Sequence, residues 1–223
     1  MNTDIYQEYR PYKVRGQQAE KFYLDPHKRP RSQARILSDR DTDMVEEHIL
    51  SRGGAPTAYL LKFRLSRYAG LRVGEILNIH LSDLVEPDGR VSDHVTVRPK
   101  VGKGGKGRKV PMHPRLAEAI RKFQLHHPDM TYVGFSQQHY TPKRQSLASL
   151  TVWFHLLYKQ VGLVGCSSHS GRRTFITGLA KAAPRLGYSL RDVQLVAGHS
   201  RLESTETYIE PSANLGKLVR AIK

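Results

Sequence analysis

Apolar residues recur at intervals of three and four along most of this chain, and that spacing constrains its fold more than any other feature. From Ser38 onward the pattern is typical of amphipathic helices that pack their apolar faces together. Ser38 followed by Asp41 signals a helix start, after which Met44, Val45 and Ile49 fall on one face. Further helices are expected near 59–70, 72–79, 115–126, 145–161, 171–182, 190–197 and 202–208.

One segment departs from the helical pattern. Val91, Val95 and Val97 alternate with polar residues, which is the period of a β-strand. A glycine- and lysine-rich turn, VGKGGKGRKVP, then leads back to a second short strand near Val110. The expected fold class is therefore mainly α with a small antiparallel β-hairpin.

The charge balance favours a polyanionic partner. Lys and Arg total 36 against 20 Asp and Glu, a formal charge of +16. Nucleic acid is the first candidate and an anionic membrane surface the second. The membrane alternative is weaker, because no apolar run approaches the roughly 18–20 residues that cross a bilayer. Disorder throughout is disfavoured, since 39% of the residues are apolar and recur with helical spacing.

Cysteine usage limits the remaining classes. Cys166 is the single cysteine, so an intramolecular disulfide framework and cysteine-rich zinc sites are excluded. The N-terminus has no apolar stretch that could be a secretory signal. We expect a protein of a reducing compartment, cytoplasmic and nucleoid-associated.

Five short motifs follow one another along the chain, each of them weak when taken alone. The second arginine motif has the form His-x-x-Arg, and Tyr208 stands nine residues after the histidine of a Gly-His-Ser triplet. In chain order the motifs are Ala69-Gly70-Leu71-Arg72-x-x-Glu75, Gly102-Lys103-Gly104, His169-x-x-Arg172, Leu195-x-x-Gly198-His199-Ser200 and Tyr208.

This order and spacing resembles the tyrosine recombinase (phage integrase) family, whose catalytic set is Arg, Lys, His, Arg, His or Trp, and Tyr. The resemblance covers about residues 36–210 and implies the architecture of that family's catalytic domain. It implies a site-specific recombinase or integrase that breaks and rejoins double-stranded DNA through a 3′-phosphotyrosine, without metal, nucleotide or other cofactor. The catalytic residues that it implies are Arg72, Lys103, His169, Arg172, His199 and Tyr208.

The chemistry of these residue types agrees with that reaction. A pentacoordinate phosphorus needs cationic donors at its equatorial oxygens, and a guanidinium can bind two such oxygens at once. Arg72 and Arg172 are the expected clamp, and Glu75, one turn after Arg72, is placed to orient it. A surface carboxylate with no such role is the alternative for Glu75.

The other residues of the set are expected to take part in proton transfer or hydrogen bonding. A phenol is protonated at neutral pH, so Tyr208 needs positive charge or a base such as His169 to attack phosphorus. The leaving sugar oxygen needs a proton, which a lysine on a glycine-rich turn can supply. Lys103 matches the family's hairpin lysine, with Lys100 and Lys106 as rivals. His199 is expected to donate to a non-bridging oxygen.

The chain is expected to have three parts. Residues 1–35 form a basic arm that either follows a phosphate backbone or is a solvated, partly disordered leader. Residues 36–210 form the catalytic domain, and residues 211–223 a helical tail that docks on a neighbouring protomer or folds back. The family's usual separate DNA-binding domain has no counterpart among those first residues, which makes the chain similar to the short recombinases, including bacterial fimbrial-switch invertases.

Partners and rivals complete the hypothesis. We expect a homo-oligomer, dimer to tetramer, on DNA, with accessory proteins as a possibility. The main rival is a non-catalytic DNA-binding regulator or accessory factor on the same fold, and a basic RNA- or ribosome-binding protein is the third hypothesis.

Two positions depart from the family: Gly171 replaces a usual leucine and Arg173 a frequent histidine. The residues expected to contact DNA phosphates are Lys100, Lys106, Arg108, Lys109 and Arg173.

Overall fold

The computed structural model describes residues 33–99, 107–136 and 143–208. Within them, helices dominate and two short antiparallel strand pairs are present. The mainly α class with a small hairpin is thereby confirmed. The helices are α1 (Asp39–Leu50), α2 (Pro56–Ala69), α3 (Val73–Ile76), α4 (Pro114–His126), α5 (Leu147–Gln160), α6 (Ser170–Ala182), α7 (Leu190–Ala197) and α8 (Glu203–Glu206), with 3₁₀ turns at Leu81–Asp83 and Ala183–Leu186.

Helix α1 begins where the sequence predicts. The Ser38 hydroxyl accepts from the Asp41 amide at 3.1 Å, and the Asp41 carboxylate accepts from the Ser38 amide at 3.0 Å. This reciprocal pair satisfies two amides at the helix start. Val45 and Ile49 are buried as expected, but Met44 is 37% exposed. The expectation for Met44 was wrong because the inward stripe continues through polar Thr42 and Glu46 instead.

Helix α2 is the centre of the core. It packs against α4 on one side and α6 on the other, so that it is buried around most of its circumference. Pro56 opens the helix and Gly70 closes it with φ +63°, a conformation that glycine adopts without steric cost. Leu60, Leu61 and Phe63 are wholly buried. The same helix carries the charged residues Lys62 and Arg64 into the interior.

Those two buried cations have different surroundings. Arg64 donates to Glu46 through Nε at 3.1 Å and through Nη2 at 2.6 Å. Lys62 donates instead to the neutral oxygens Phe135 O at 2.7 Å and Gln145 Oε1 at 3.0 Å, and its Nζ lies 4.6 Å from the centre of the Tyr59 ring. Because burial penalises the ammonium, the pKa of Lys62 falls to about 7.

Two strand pairs flank the helices. In the expected hairpin, β1 (His94–Val97) pairs with β2 (Arg108–Pro111), with Val97 opposite Arg108. A second pair, β3 (Phe135–Ser136) with β4 (Lys143–Arg144), was not expected from the sequence. Two-residue strands are too short to show alternation, and β3 is bonded to the core through the hydrogen bond from Lys62 to the Phe135 carbonyl.

The remaining elements run close to the expected bounds, with two shorter helices. The segment expected to be helical over 72–79 forms only α3, and that expected over 202–208 forms only α8. In the latter, the Tyr208 amide bonds to the Thr205 carbonyl at 3.0 Å, a tighter turn that ends the α-helix. Helices α6 and α7 enclose a small second core that includes Ile176, Val193 and Ala197, and Tyr208 packs against it.

Several expectations fall outside the described residues. They include most of the basic arm, the tail over 211–223, and the turn lysines Lys100, Lys103 and Lys106. Among the described helices, none is both long and apolar enough to cross a bilayer.

We expect Lys62→Met to stabilise the protein most below pH 7. In that range Lys62 is charged in both the folded and the unfolded wild type, so the folded state carries the full cost of burying a charge. Between pH 7 and 10.5 the unfolded chain keeps a proton that the folded chain has released, so rising pH favours folding of the wild type. The difference in unfolding free energy between variant and wild type should therefore narrow over this range, by about 1.4 kcal/mol per pH unit.

Urea unfolding of both proteins from pH 6 to pH 10 measures this gap. Lys122→Met, at a surface lysine paired with Glu118, controls for the loss of an ordinary lysine. A gap that does not vary with pH would contradict the lowered pKa of Lys62.

Candidate active site

Four separate elements converge at the start of α6. Arg72 is the N-cap of α3, Arg172 lies in the first turn of α6, His199 follows α7 and Tyr208 follows α8. The structure thus brings together four positions that are up to 136 residues apart in the chain. His169, the N-cap of α6, stands three residues before Arg172.

Arg172 is the most enclosed cation of the group. It is only 3% exposed, and its terminal nitrogens donate to two carbonyls at helix ends, Gly70 O at 2.5 Å and Ala197 O at 2.8 Å. Burial and the positive charge of Arg72 lower the pKa of Arg172 to about 10, while Glu75 opposes that shift. The guanidinium is still charged at neutral pH, and it links the ends of α2 and α7.

A glycine allows this close approach. A methyl group on Gly171 would lie 2.6 Å from the Ser66 hydroxyl on α2, which is closer than packed atoms come. The departure from the family's leucine at this position therefore matches a tight contact between α6 and α2. That contact brings Arg172 within reach of the Gly70 carbonyl.

Glu75 is the anionic centre of the cluster. Its Oε1 accepts from Arg72 Nη1 at 3.0 Å and Arg108 Nη1 at 2.9 Å. Its Oε2 accepts from the Arg72 amide at 2.8 Å and Arg108 Nη2 at 2.9 Å. Burial alone would raise the pKa of Glu75, but the Arg108 and Arg72 donors outweigh it and hold the pKa at about 2. The Glu75 side chain is 11% exposed, and its bond to Arg72 joins the two residues that the sequence pairs.

Arg108 occupies a position that the sequence did not predict. Its side chain is 8% exposed and forks onto Glu75, whereas the neighbouring Lys109 is exposed. The signal available in the sequence was the strand period: Arg108 and Val110 share one face of β2, the face on which Val110 is buried.

The cluster keeps an excess of positive charge. One carboxylate stands against the guanidiniums of Arg72, Arg108 and Arg172, which leaves two net positive charges. The Arg72 side chain is 43% exposed, so a charged donor faces solvent at this point. Such an arrangement suits a phosphate group, whose oxygens accept from several guanidinium N–H groups at once.

His199 and Tyr208 also lie in the cluster, close enough to feel the charge of Arg172. Their rings stack at 5.7 Å between centroids with 24° between planes. His199 Nδ1 lies 2.9 Å from the buried Thr205 hydroxyl, which fixes the ring orientation. Burial, followed by the charges of Arg172 and Arg72, lowers the pKa of His199 to about 4. The imidazole is therefore neutral at pH 7.

His169 is exposed at the start of α6. Although the residue is exposed, the protein around it partly desolvates the ring, and this effect, followed by the charges of Arg172 and Arg72, lowers the pKa of His169. A neutral imidazole at pH 7 is able to accept a proton.

Of the residues predicted to contact DNA, two besides Arg108 are described. Lys109 is exposed on β2. Arg173 donates from Nη1 to the Ala34 carbonyl at 2.9 Å and from Nη2 to the Gln33 side chain. Its guanidinium thereby holds the segment that leads into α1.

Comparison with known proteins places the chain in a family. The model of the phage integrase family matches residues 42–214, so the chain belongs to that family. Tyrosine recombinase XerC of Chlamydia caviae is 32% identical over 67% of this chain and 46% of its own length. Tyrosine recombinase XerA of Thermococcus kodakarensis is 29% identical over 88% of this chain and 65% of its own length.

Solved structures share the fold. The crystal structure of XerA recombinase superposes with a TM-score of 0.65 at 23% identity, over 87% of this chain and 68% of that one. The XerH site-specific recombinase bound to its difH substrate gives 0.62 at 20% identity, over 84% and 54%. The expected architecture is confirmed. The chain spans about half the length of the first curated XerC relatives that it matches.

We expect Gly198→Ala to lower stability more than Gly187→Ala does. Both glycines have positive φ, +67° and +78°, which penalises any other L-residue by about 1–2 kcal/mol. Only at Gly198 would the added methyl also overlap a neighbour, at 2.8 Å from Arg108 Cδ, whereas nothing lies within 4 Å at Gly187. Overpacking of this kind adds about 1 kcal/mol or more. Urea unfolding of the two variants compares them directly, and equal losses would show that Arg108 is not held against Gly198.

Proposed function

We propose that this protein cleaves and rejoins DNA strands at specific sites through a covalent 3′-phosphotyrosine, with Tyr208 as the nucleophile. The observation that carries the proposal is the convergence of Arg72, Arg172, His199 and Tyr208, from four separate elements, around one excess of positive charge. Family membership supports the reaction class.

The two arginines would stabilise the transition state. Attack on the phosphodiester passes through a pentacoordinate phosphorus that carries negative charge on its equatorial oxygens. Arg72, half-exposed and oriented by Glu75, would donate to one oxygen. Buried Arg172 would supply a fixed positive charge next to the same phosphate. Neutral His199 would donate a hydrogen bond to a non-bridging oxygen. Because these donors are already fixed in the folded state, little reorganisation accompanies the reaction.

Covalent transfer conserves the energy of the phosphodiester. The Tyr208 oxygen forms a bond to phosphorus while the bond to the 5′ oxygen of the next nucleotide breaks. The phenol proton passes to a base, for which His169 is proposed, and the leaving 5′ oxygen takes a proton from Lys103. In the reverse step a 5′ hydroxyl attacks the phosphotyrosine and restores the strand, so no nucleotide or metal is consumed.

The proposed partner is double-stranded DNA. Structures that share this fold include the Tn1549 integrase with transposon right end DNA and XerH with difH. For this chain we propose binding as a homo-oligomer, dimer to tetramer, with paired protomers exchanging strands. The basic arm over 1–35 and exposed Lys109 are proposed to contact phosphates, and the tail over 211–223 to contribute to assembly.

We expect Tyr208→Phe to bind DNA with unchanged affinity and to form no covalent adduct. The change removes the nucleophilic oxygen and little packing. Protein incubated with DNA carrying its target site, or with a library of fragments from its source replicon, is denatured in SDS and resolved by electrophoresis. The adduct runs as a shifted, protease-sensitive band.

Tyr188→Phe is the matched control, since Tyr188 is an exposed tyrosine that is not one of the cluster residues. Adduct formation should survive that change. An adduct from Tyr208→Phe would reject the nucleophile, and DNA binding with no adduct from the wild type would favour the non-catalytic regulator.

We expect Lys103→Ala to cleave ordinary DNA slowly and a substrate with sulfur at the 5′-bridging position at nearly the wild-type rate. A thiolate leaves readily without a proton, so the general acid becomes dispensable. Arg172→Ala should show no such rescue, because its charge acts on the non-bridging oxygens. Single-turnover cleavage of both substrates measures the ratio for each variant. Rescue of Lys106→Ala or Lys100→Ala instead would assign the proton to that lysine.

A further inference from the structure

Arg108 and Lys109 stand side by side on β2, and the sequence favours a phosphate contact for both. The structure separates them, because Lys109 is exposed while the Arg108 side chain is 8% exposed. We infer that Arg108 is a positioning residue, which holds Glu75, Arg72 and the base of the β1–β2 hairpin in one arrangement without touching DNA. This inference rests on the proposed function, since it concerns the geometry of the same reaction.

The first support is the fork between Arg108 and Glu75. Two parallel N–H···O bonds of 2.9 Å fix the guanidinium plane relative to the carboxylate. Each carboxylate oxygen also accepts from Arg72, once from its side chain and once from its amide. A change in the position of Arg108 therefore shifts the carboxylate that orients Arg72.

The second support is the place of Arg108 at the base of the hairpin. It is the first residue of β2 and pairs with Val97, the last residue of β1. The chain between these strands contains Lys103, the proposed general acid. Fixing Arg108 to Glu75 thus fixes the strand end from which that lysine extends.

The third support is the contact with Gly198. The Arg108 side chain passes so close to Gly198 that a methyl there would lie 2.8 Å from both Cδ and Nη1. Gly198 directly precedes His199, whose ring stacks on Tyr208. The Arg108 side chain therefore contacts both the turn before His199 and the carboxylate beside Arg72, while its backbone lies at the base of the hairpin.

The burial of Arg108 argues against a direct phosphate contact. Both of its terminal nitrogens are bonded to Glu75, and a phosphate would have to displace a carboxylate whose pKa is about 2. Arg72, with 43% of its side chain exposed, is the guanidinium accessible to a ligand.

The test is the substitution Arg108→Met, which keeps an unbranched apolar stem in the same place and removes the charge and the donors. Single-turnover cleavage at saturating protein should slow by on the order of 10- to 100-fold, because misplaced catalytic groups have effects of that size. DNA affinity and its dependence on salt should stay unchanged. Arg108→Lys, which keeps the charge but not the fork, should recover only part of the rate.

Two comparison variants separate positioning from other roles. Arg64→Met removes a buried arginine that also forks onto a carboxylate, that of Glu46 through Nε and Nη2, but outside the cluster. It should lower stability similarly and leave the cleavage rate unchanged when assayed below the unfolding temperature of both variants. Lys109→Ala should flatten the slope of log affinity against log salt by about one unit, as loss of a phosphate contact does.

A double variant addresses the charge left behind. Arg108→Met combined with Glu75→Gln leaves no unpaired buried carboxylate. If Arg108 acts through Glu75, the double variant should cleave no more slowly than Glu75→Gln alone. The inference would be overturned if the rate losses of Arg108→Met and Glu75→Gln multiplied in the double variant. It would also be overturned if the salt slope of Arg108→Met matched that of Lys109→Ala, or if Arg64→Met slowed cleavage equally.

Two readouts need no DNA and separate this inference from the proposed function. In Arg108→Met the Glu75 pKa, followed by NMR, should rise from about 2, and the β2 amides should exchange hydrogen faster. Failure of the wild type to form an adduct would reject the proposed function. An unchanged Glu75 pKa together with unchanged β2 exchange would reject the positioning role of Arg108.

Discussion

The buried Glu75 carboxylate is the interaction on which the geometry of the cluster depends. It accepts four hydrogen bonds, two from Arg72 and two from Arg108, and so links α3 to β2. A buried carboxylate is stable only when its charge is paired and its lone pairs are occupied, and both conditions hold here. Because Glu75 stays ionised well below neutral pH, the arrangement of the two guanidiniums does not change across the physiological range.

Helix α2 supplies the frame for that interaction. Its C-terminal carbonyl at Gly70 accepts from Arg172, and its contact with α6 is close because Gly171 faces Ser66. The two cations that α2 buries are satisfied differently, Arg64 by carboxylates and Lys62 by neutral oxygens. The rigid centre of the core therefore also sets the position of the first turn of α6, where Arg172 lies.

The protonation states in the cluster follow from its shared charge. Burial and neighbouring guanidiniums lower the pKa values of His169 and His199, so both rings are neutral at pH 7. A neutral ring can accept a proton at one nitrogen and donate from the other. The positive charge in the site is thus carried by arginines, whose charge does not depend on working pH, while the histidines remain available for proton transfer and hydrogen bonding.

The sequence by itself determined the helices and the residue types of the site. Helical spacing and the Ser38–Asp41 cap predicted the elements, and the resemblance to the family singled out His199 and Tyr208, whose rings stack in the structure. Only the tertiary structure decided which charged residues are buried. Arg108 and Lys109 are adjacent basic residues in the sequence. Arg108 packs against Gly198 and bonds to Glu75, 33 residues earlier in the chain, whereas Lys109 faces solvent. The burial of Lys62 and the pairing of β3 with β4 were likewise decided by the tertiary structure. Local pattern specifies period and polarity, whereas the burial of a charge depends on the partner that a distant segment brings to it.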